Sequence, residues 1–374
     1  MDKKSAKPVK KRAPRRQSNQ VRVADVALAA DVSSATVSRA LNRAGPVSNA
    51  VRERIERAVI ELGYVPNGAA RALASQRAQV IGVIIPTLEN TNFAITAEAA
   101  QQRIVDAGYN FMVASSGYDP ARELDQIQSL VAHGVDGIIL VGAQRDPEAI
   151  QFLKSRRVHY VVTWTLADDD TPSVGFDNAE AARRLADHLL VLGHRQIGVI
   201  AGLTKNNDRA AARLEGVRRA LGERGLDLPR EFLIERPYRI AEGQFALRAL
   251  MTTSPRPTAV ICGNDQLAFG ALIECGRQGI SVPRDVSIVG FDDLEFAGQI
   301  VPALTTIHVP AEEIGHRAAE YLLATINGQP TATTTEVAVS LIIRESSAPP
   351  RNADDTGGTY DLPTTSKSKP SSAA

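Results

Sequence analysis

The chain has 374 residues, two cysteines and a net charge of +1. That length allows two or three domains, two cysteines are too few for a disulfide framework, and no apolar run reaches the roughly 20 residues that cross a membrane. The charges are unevenly distributed, because residues 1–80 carry 16 Lys and Arg against 6 Asp and Glu, whereas the remainder carries 27 against 36. This asymmetry indicates a basic nucleic-acid-binding module on a mildly acidic body. The alternative is a basic tail on a neutral enzyme.

Residues 1–20 form a basic arm that is rich in Lys, Arg and Pro. This composition is typical of disorder, because it offers little apolar surface to bury. No hydrophobic stretch follows the charges, so we expect no secretory signal and a cytoplasmic protein. Flexible positive charges of this kind contact phosphates without selecting a base sequence.

The next segment, residues 21–65, predicts three short helices. Apolar residues recur there at helical spacing in three runs. The predicted helices cover residues 23–30, 34–42 and 48–62. Asp31 lies in the first turn, and the Ser33 hydroxyl can cap the second helix. The predicted core consists of Val23, Val26, Ala27, Ala30, Val37, Leu41, Val51, Ile55, Val59 and Leu62.

The second predicted helix has a polar face. Ser34, Ala35, Ser38 and Arg39 lie on this face, away from the apolar positions. Two helices joined by a short turn, with a polar second helix, fit the major groove of DNA. The pattern therefore predicts a helix-turn-helix domain, and an ordinary three-helix subdomain is the alternative.

This segment resembles the DNA-binding head of the lac-repressor (LacI/GalR) family of bacterial transcription regulators, and the resemblance continues to about residue 345. The matching stretches are Asp25-Val26-Ala27, Val32-Ser33, Ala35-Thr36-Val37-Ser38-Arg39, Leu41-Asn42, Leu62-Gly63-Tyr64-Val65-Pro66-Asn67 and Ala70-Arg71-Ala72-Leu73. One departure is Asp31, where the family usually has Gly. Asp tolerates a left-handed backbone better than most residues, so we expect the turn to persist. The resemblance implies a repressor that binds near-palindromic operator DNA of the bacterial nucleoid as a homodimer.

The linker, residues 66–79, carries a predicted hinge helix. Pro66 ends the third helix, because the residue before a proline disfavours the helical region, and Asn67 can cap a new helix over residues 68–74. That helix is too short to be stable alone. In the family the residue matching Leu73 inserts into the minor groove and kinks the duplex; anchoring of the linker on the body is the alternative. The predicted DNA-binding residues are Ser34, Ala35, Thr36, Ser38, Arg39, Asn42, Asn67, Arg71 and Leu73.

Residues 80–346 alternate predicted strands with predicted helices. The strands cover residues 80–85, 109–113, 137–141, 160–162, 173–176, 197–201, 232–235, 259–262 and 287–291. Helical patterns include residues 94–107, 121–133, 210–224, 242–251 and 265–278. Continuous apolar strands that alternate with helices predict parallel sheets, and two series of similar rhythm predict two lobes with a cleft between them.

The predicted fold class is therefore α/β. A helix-turn-helix head and a hinge helix are joined to a two-lobed, periplasmic-binding-protein-like body of doubly wound parallel sheets. Residues 347–374 are rich in Pro, Ser, Thr and Gly and predict a disordered tail. The tail has no apolar heptads, so no C-terminal coiled coil is expected.

Ligands in such sheets bind beyond the carboxyl ends of the strands, where this chain has several polar and aromatic side chains. The predicted effector-binding residues are Asn92, Phe93, Trp164, Phe176, Arg213, Asn264 and Asp292. In the resembled family the positions matching Arg213, Asn264 and Asp292 contact the effector, and a guanidinium, an amide and a carboxylate together can hold hydroxyl groups. A sugar or sugar acid is thus predicted ahead of a purine, with Trp164 or Phe176 packed against an apolar ring face.

Structural roles are the alternative for several of these residues. Helix capping is the alternative for Asp177, Asn264 and Asp265. Asp292 can serve a turn, which would leave Asp293 as the spare carboxylate. Arg213 can lie on a solvated helix face, and Trp164 can belong to the core.

Enzyme motifs are missing from the sequence. There is no GxGxxG, P-loop, GxSxG or HExxH motif, and the six histidines lack Cys or carboxylate neighbours at metal-ligand spacing. We therefore predict no catalytic residue, metal or cofactor. The predicted partners are operator DNA, a small effector and a second copy of the chain, with no membrane. The alternative from another class is a cytosolic small-molecule-binding or sugar-modifying protein with a non-regulatory basic head.

Overall fold

The computed structural model describes residues 21–41, 46–65, 78–167 and 169–351. The chain forms two compact units, Met1–Ala78 and Gln79–Ala374. The predicted basic arm, the predicted hinge helix and most of the predicted tail lie outside the described residues. Four of the predicted DNA-binding residues lie outside them as well: Asn42, Asn67, Arg71 and Leu73.

The first unit is a small helical domain with its own core. Its described helices are α1 (Val23–Ala29), α2 (Ser34–Leu41) and α3 (Asn49–Leu62). Each helix contributes one fully buried branched side chain to the core, and these are Val26, Val37 and Ile55. The three predicted helices of this segment are therefore confirmed.

Five of the ten residues predicted for this core are not fully buried, and three of these, Val23, Val51 and Val59, are half-buried. Leu41 is half-buried and Leu62 is 36% exposed. Ala40 and Ala58 are buried instead, each three residues after the fully buried side chain of its helix. Residues three and four positions after a given residue lie on the same face of a helix. In α2 and α3 the residue three positions on, Ala40 or Ala58, points further into the core than the residue four positions on.

The turns of this unit follow from local chemistry. Asp31 has a left-handed backbone with φ 50°, as predicted for the position where the family has Gly. The Ser33 Oγ accepts a hydrogen bond from the Thr36 amide at 3.1 Å, which caps α2. Gly63 ends α3 with φ 61°, a conformation that glycine adopts without steric cost.

The second unit has two lobes, here called the N-lobe and the C-lobe. The N-lobe strands are β1 (Val80–Ile85), β2 (Asn110–Ser115), β3 (Gly137–Val141), β4 (His159–Thr163), β5 (Ser173–Gly175) and β11 (Thr334–Glu336). They form a parallel sheet in the order β11-β5-β4-β3-β1-β2. One face carries α4 (Thr91–Asp106) and α11 (Ala311–Ile326), and the other carries α5 (Pro120–Ala132) and α6 (Pro147–Arg156).

The C-lobe repeats this arrangement. Its strands are β6 (Ile197–Gly202), β7 (Leu233–Arg236), β8 (Ala259–Cys262) and β9 (Ser287–Val289). They form a parallel sheet in the order β7-β6-β8-β9, which is the order of β2-β1-β3-β4 in the N-lobe. One face carries α7 (Asn178–Val191) and α8 (Asp208–Gly222), and the other carries α9 (Ile240–Leu250) and α10 (Asp265–Gln278). The two predicted doubly wound series are thus confirmed.

The chain passes between the lobes three times. It leaves β5 for α7, runs from β10 (Thr306–His308) into α11, and returns from β11 to β12 (Ser340–Ile342). β10 and β12 pair antiparallel and pack against α7. A cleft between the lobes is therefore bordered by crossing segments, and its walls come from distant parts of the sequence.

Most predicted strand and helix ends differ from the structure by one to three residues, and two of the differences have a visible physical reason. The last predicted strand ends two residues early, at Val289, because the amide of Gly290 donates to Thr305 and that of Asp292 to Ile307. The body also extends past the predicted boundary at residue 346. The Ala348 amide donates to the Ser287 Oγ at 3.0 Å and His188 bonds the Ser347 Oγ at 3.0 Å, so this segment is tied to the C-lobe. Amino-acid composition alone does not show such hydrogen bonds between distant segments.

Candidate nucleic-acid interface and ligand cavity

The outer face of α2 is the candidate nucleic-acid interface. Ser34, Ala35, Ser38 and Arg39 are exposed on it. The Arg39 guanidinium lies along its own helix, with Nε donating to the Ala35 carbonyl and Nη2 to the Thr36 Oγ1, both at 3.4 Å. These long contacts leave the guanidinium with donors in reserve, so it can still pair with a base edge.

A cavity lies between the two lobes of the second unit, beyond the carboxyl ends of the strands. The N-lobe contributes Asn90, Phe93, Tyr118 and Trp164 to its lining, and the C-lobe contributes Asn207, Arg209, Arg213, Tyr238, Asn264 and Asp292. This is the position that the topology of doubly wound sheets assigns to a ligand. Most of the lining side chains carry a polar group, while the rings of Phe93 and Trp164 meet edge-to-face with centroids 5.2 Å apart.

The Arg213 side chain is buried and contacts three neighbouring groups. The alternative that it lies on a solvated helix face is therefore excluded. Its Nε donates to the Asn178 Oδ1 and its Nη1 to the Gly263 carbonyl, both at 2.9 Å. The guanidinium stacks over the Phe291 ring at 3.6 Å from the centroid. Its Nη1 is also 3.6 Å from the Asp292 Oδ1. A cation held this firmly presents a preorganised donor to the cavity.

Asp292 is the anionic group of the cavity. It is 2% exposed and has φ 118°, a conformation rarely adopted by residues other than glycine. Its carbonyl accepts from the Asn92 Nδ2 at 3.2 Å, so the N-lobe holds it from across the cleft. Burial raises the pKa of the Asp292 carboxyl to about 6, opposed by Arg213 and a hydrogen bond from Asn90. Strain of this kind is concentrated at functional sites.

Two donors in the cavity lining lack partners. Within the described part of the chain, the indole Nε1 of Trp164 and the amide Nδ2 of Asn264 are buried and donate to no hydrogen-bond acceptor. The Asn264 Oδ1 caps α10 by accepting from the Leu267 amide at 3.0 Å, which leaves Nδ2 for the cavity. Buried donors are normally satisfied, so both are available to acceptor atoms of a molecule in the cavity.

The structure separates the predicted residues into two groups. Phe93, Trp164, Arg213, Asn264 and Asp292 line the cavity. The two others lie just beside it. Asn92 bonds the Asp292 backbone, and Phe176 packs between Trp164 and Phe291. Both therefore support residues of the lining.

Neighbouring aspartates have structural roles. Asp177 caps α7 by accepting from the amides of Ala179 and Glu180. Asp265 does not cap its helix but accepts from the Leu294 amide and the Thr306 Oγ1, and so ties α10 to β10. Asp293, considered above as the spare carboxylate, is paired with Arg344 at 2.7 Å and His308 at 3.0 Å.

Five residues of the lining were not among the predicted effector-binding residues. These are Asn90, Tyr118, Asn207, Arg209 and Tyr238. Each lies within about seven residues after the end of a strand, so the strand-end rule applied to every strand would have found them. Burial raises the pKa of both tyrosine hydroxyls, Tyr118 and Tyr238, above the ordinary value of 10.0, so both stay protonated and can donate hydrogen bonds at neutral pH and well above it.

In residues 21–41, 46–65, 78–167 and 169–351 no group of three or more His, Cys, Asp or Glu side chains has the arrangement of a metal site. The helices among those residues are all too short or too polar to cross a bilayer.

Sequence comparison identifies relatives of both units. The family model described as bacterial regulatory proteins, lacI family, matches residues 22–67, and a periplasmic binding protein-like domain matches residues 186–347. The ribose operon repressor of Haemophilus influenzae is 34% identical over 325 residues, which are 86% of this chain and 97% of that protein. The chain belongs to the lacI family of bacterial regulatory proteins.

Further comparisons agree with this LacI-family membership. The HTH-type transcriptional regulator GntR of Pseudomonas aeruginosa is 36% identical over 307 residues, which are 82% of this chain and 89% of that protein. The crystal structure of the lac repressor dimer bound to operator and the anti-inducer ONPF has a TM-score of 0.79 at 29% identity, and the match covers 88% of this chain and all of that one. The LacI-family chain is thus a DNA-binding transcriptional regulator with the predicted fold.

Proposed function

We propose that this LacI-family regulator is a repressor that binds near-palindromic operator DNA as a symmetric dimer and is controlled by a polyhydroxylated effector, a sugar or a sugar acid. The inter-lobe cavity is the proposed effector site. The observation that carries the proposal is the donor and acceptor set of Arg213, Asn264 and Asp292 around one cavity, with two unpartnered buried donors.

The chemistry of this cavity matches hydroxyl groups. A hydroxyl both donates and accepts, so it can donate to the Asp292 carboxylate while accepting from Arg213 or Asn264. The Trp164 indole supplies one further donor and an apolar face for a sugar ring. A purine presents fewer hydroxyls and more aromatic surface, whereas the two rings of the N-lobe wall pack edge-to-face against each other. The name of the Haemophilus influenzae relative, ribose operon repressor, also supports a sugar.

On the DNA side, we propose that Ser34, Ala35 and Arg39 contact base edges. Arg39 can donate two hydrogen bonds to guanine, Ser34 is short and adaptable, and Ala35 offers a methyl contact. The remaining predicted contacts are Thr36, Ser38, Asn42, Asn67, Arg71 and Leu73. A lac repressor dimer is bound to operator in one similar structure, which supports a dimer on nucleoid DNA in the cytoplasm and a regulatory rather than an enzymatic role.

The proposal is tested by ligand screening followed by operator binding. Sugars, sugar acids and nucleobases are screened by thermal shift, and each hit is added to an operator-binding assay. Asp292→Ala and Arg213→Ala are expected to abolish the ligand response and to retain operator binding, since both lie in the second unit. Arg218→Ala, which removes an exposed arginine from the same helix as Arg213, is the matched control. Loss of operator binding in both cavity variants, with folding intact, would assign them a structural role.

A further inference from the structure

Asp293, the neighbour of Asp292 in the loop after β9, is bound by two of the segments that cross between the lobes. The Arg344 Nη2 donates to its Oδ1 at 2.7 Å, and the His308 Nδ1 forms a hydrogen bond with its Oδ2 at 3.0 Å. Arg344 lies two residues after the end of β12, and His308 is the last residue of β10. The Asp293 carboxylate therefore joins this loop to both crossing segments.

Arg344 is itself fixed, so it can anchor Asp293. Its Nη1 donates to the Leu304 carbonyl at 2.8 Å, and its backbone amide donates to the Thr305 Oγ1 at 2.9 Å. The side chains of Asp293 and Arg344 are only 15% and 23% exposed. Solvent screens a partly buried ion pair less than an exposed one, so this pair holds the Asp293 carboxylate in one place.

The backbone of the loop has unusual dihedral angles at two successive residues. Asp292 has φ 118° and Asp293 has φ 54°, both in the region that favours glycine. Such conformations persist only where neighbouring groups fix them. The Asp292 amide donates to the Ile307 carbonyl at 2.9 Å, and the Asp292 carbonyl accepts from the Asn92 Nδ2 at 3.2 Å. These two bonds hold Asp292, and the bonds of the Asp293 side chain hold the next residue.

The two neighbouring carboxylates have different surroundings. The Asp292 Oδ1 lies 3.6 Å from the Arg213 Nη1 in the effector cavity, whereas the Asp293 carboxylate is bound to Arg344 and His308. Without the bonds to Asp293, the peptide unit between the two aspartates can rotate and relieve the backbone strain. The Asp292 carboxylate would then move away from Arg213.

We propose that Asp293 is a positioning residue for the effector site, and that its bonds to Arg344 and His308 keep the Asp292 carboxylate directed at the effector. Asp293 acts through Asp292 and does not itself contact the effector. Because Arg344 and His308 belong to crossing segments, the same bonds attach the anionic group of the site to the connections between the lobes. This inference rests on the effector site proposed above and adds the residue that orients its carboxylate.

The test is isothermal titration calorimetry on the full chain, with ribose, glucose and gluconate as probes. For a probe that binds, Asp293→Asn is expected to weaken binding roughly tenfold, the effect of losing one hydrogen bond between the effector and a charged group. Asparagine tolerates a left-handed backbone, so this variant removes the charge and keeps the turn. Arg344→Gln should weaken binding to a similar extent, and the double variant should bind no more weakly than either single variant. Arg317→Gln, which removes an exposed ion pair of the same 2.7 Å length on α11, is the control.

A conservative variant separates positioning from packing. Arg344→Lys keeps a cation beside Asp293 and should retain more of the affinity than Arg344→Gln. Equal losses in these two variants, or wild-type affinity in Asp293→Asn for a probe that Asp292→Ala no longer binds, would overturn the positioning role and leave the effector site in place. Binding that survives Asp292→Ala would overturn the effector site together with the positioning role.

A measurement without ligand covers the case in which no probe binds, an outcome that contradicts only the proposed effector class. Burial raises the pKa of the Asp292 carboxyl to about 6, so Asp292→Asn is expected to raise the unfolding free energy at pH 7. This gain should be smaller in the Asp293→Asn background, because the released Asp292 carboxylate can reach water. Arg344→Gln serves as the background if Asp293→Asn does not fold. An equal gain with and without the background substitution would overturn the positioning role, whatever the effector is.

Discussion

Asp292 combines burial, strain and a raised pKa in one side chain. The residue is 2% exposed, its Oδ1 lies 3.6 Å from the Arg213 Nη1, and its backbone carbonyl accepts a hydrogen bond from Asn92 of the opposite lobe. The folded-state pKa of about 6 lies above the ordinary value of 3.8. The carboxyl therefore titrates close to neutral pH, where a change in ligand binding can be measured.

The first prediction concerns pH. The ionised Asp292 carboxylate accepts hydrogen bonds that the protonated form does not, so effector affinity should increase as pH rises through about 6. Asp292→Asn should flatten this dependence as well as weaken binding. Effector affinity measured by ligand titration between pH 5 and pH 8 tests this dependence. An unchanged profile in Asp292→Asn would assign the titration to another group.

The same shift predicts an effect on stability. Because the folded pKa is raised, the fold favours the protonated carboxyl, and stability decreases as pH rises from about 4 to 6. Two pKa units correspond to roughly 3 kcal/mol. Asp292→Asn should therefore raise the unfolding free energy of the ligand-free protein at pH 7 and have little effect at pH 4. Denaturant unfolding at both pH values measures the difference.

Arg39 carries the corresponding prediction for DNA. Arg39→Ala should weaken operator binding by roughly 1–3 kcal/mol and relax preference at one position in each half-site. Arg57→Ala removes an exposed arginine from α3 and should cost affinity uniformly across sequences. Binding to a randomised operator library distinguishes the two. If Arg39→Ala keeps both affinity and preference, α2 is not the recognition helix.

Among the elements, the α7–α8 pair shows how closely two helices approach. A Cβ on Gly216 would lie 2.0 Å from the Ala179 carbonyl oxygen, so only glycine fits at that point of the C-lobe. Gly222, at the end of the same helix, has no atom within 4 Å of such a Cβ. One helix thus contains a glycine that packing requires and one that packing does not.

The difference between Gly216 and Gly222 gives a prediction for the α7–α8 pair. Gly216→Ala should destabilise the second unit by about 1–3 kcal/mol through overpacking. Gly222→Ala should be neutral or stabilise it by up to about 1 kcal/mol, because alanine favours the helix. Thermal unfolding of both variants tests the claim. Equal melting temperatures would mean that the two helices can separate at little cost.

The arrangement of the strands also determines which residues that follow strand ends line the cavity. Asn264 and Asp292 were predicted because polar side chains follow two neighbouring strands, β8 and β9, and parallel strands bring their carboxyl ends to one edge. Tyr118 and Tyr238 follow β2 and β7 in the same way. They were not predicted because an aromatic residue in a loop carries no specific signal of a ligand site.

At the scale of the whole molecule, regulation requires that the effector site and the DNA-binding unit influence each other. The predicted hinge helix lies outside the described residues, so its role remains a prediction from sequence. A helix of about two turns is not stable alone, and a bias of a few kcal/mol is enough to shift its formation. We infer that the effector acts on this equilibrium.

Substitution of Leu73 tests the inference that the effector acts on the hinge helix. Leu73→Ala should weaken operator binding, reduce DNA bending and diminish the effect of ligand on DNA, since an apolar wedge is lost from the minor groove. Ligand affinity of the free protein should barely change. Ile343→Ala, which truncates an exposed side chain of the body, is the control. Gel-shift bending with and without ligand measures these effects, and undiminished bending would favour an anchoring role on the body.

The sequence by itself determined the features that depend on neighbours along the chain. Helical periodicity, the capping hydroxyl of Ser33 and the tolerance of Asp31 for a left-handed turn act within a few residues, and apolar runs are sufficient to predict parallel strands. The tertiary structure decided which of two adjacent aspartates faces the ligand cavity. Asp292 is fixed there by Asn92, 200 residues earlier, while Arg344 engages Asp293. Such contacts depend on how the lobes fold together, and no local pattern encodes them.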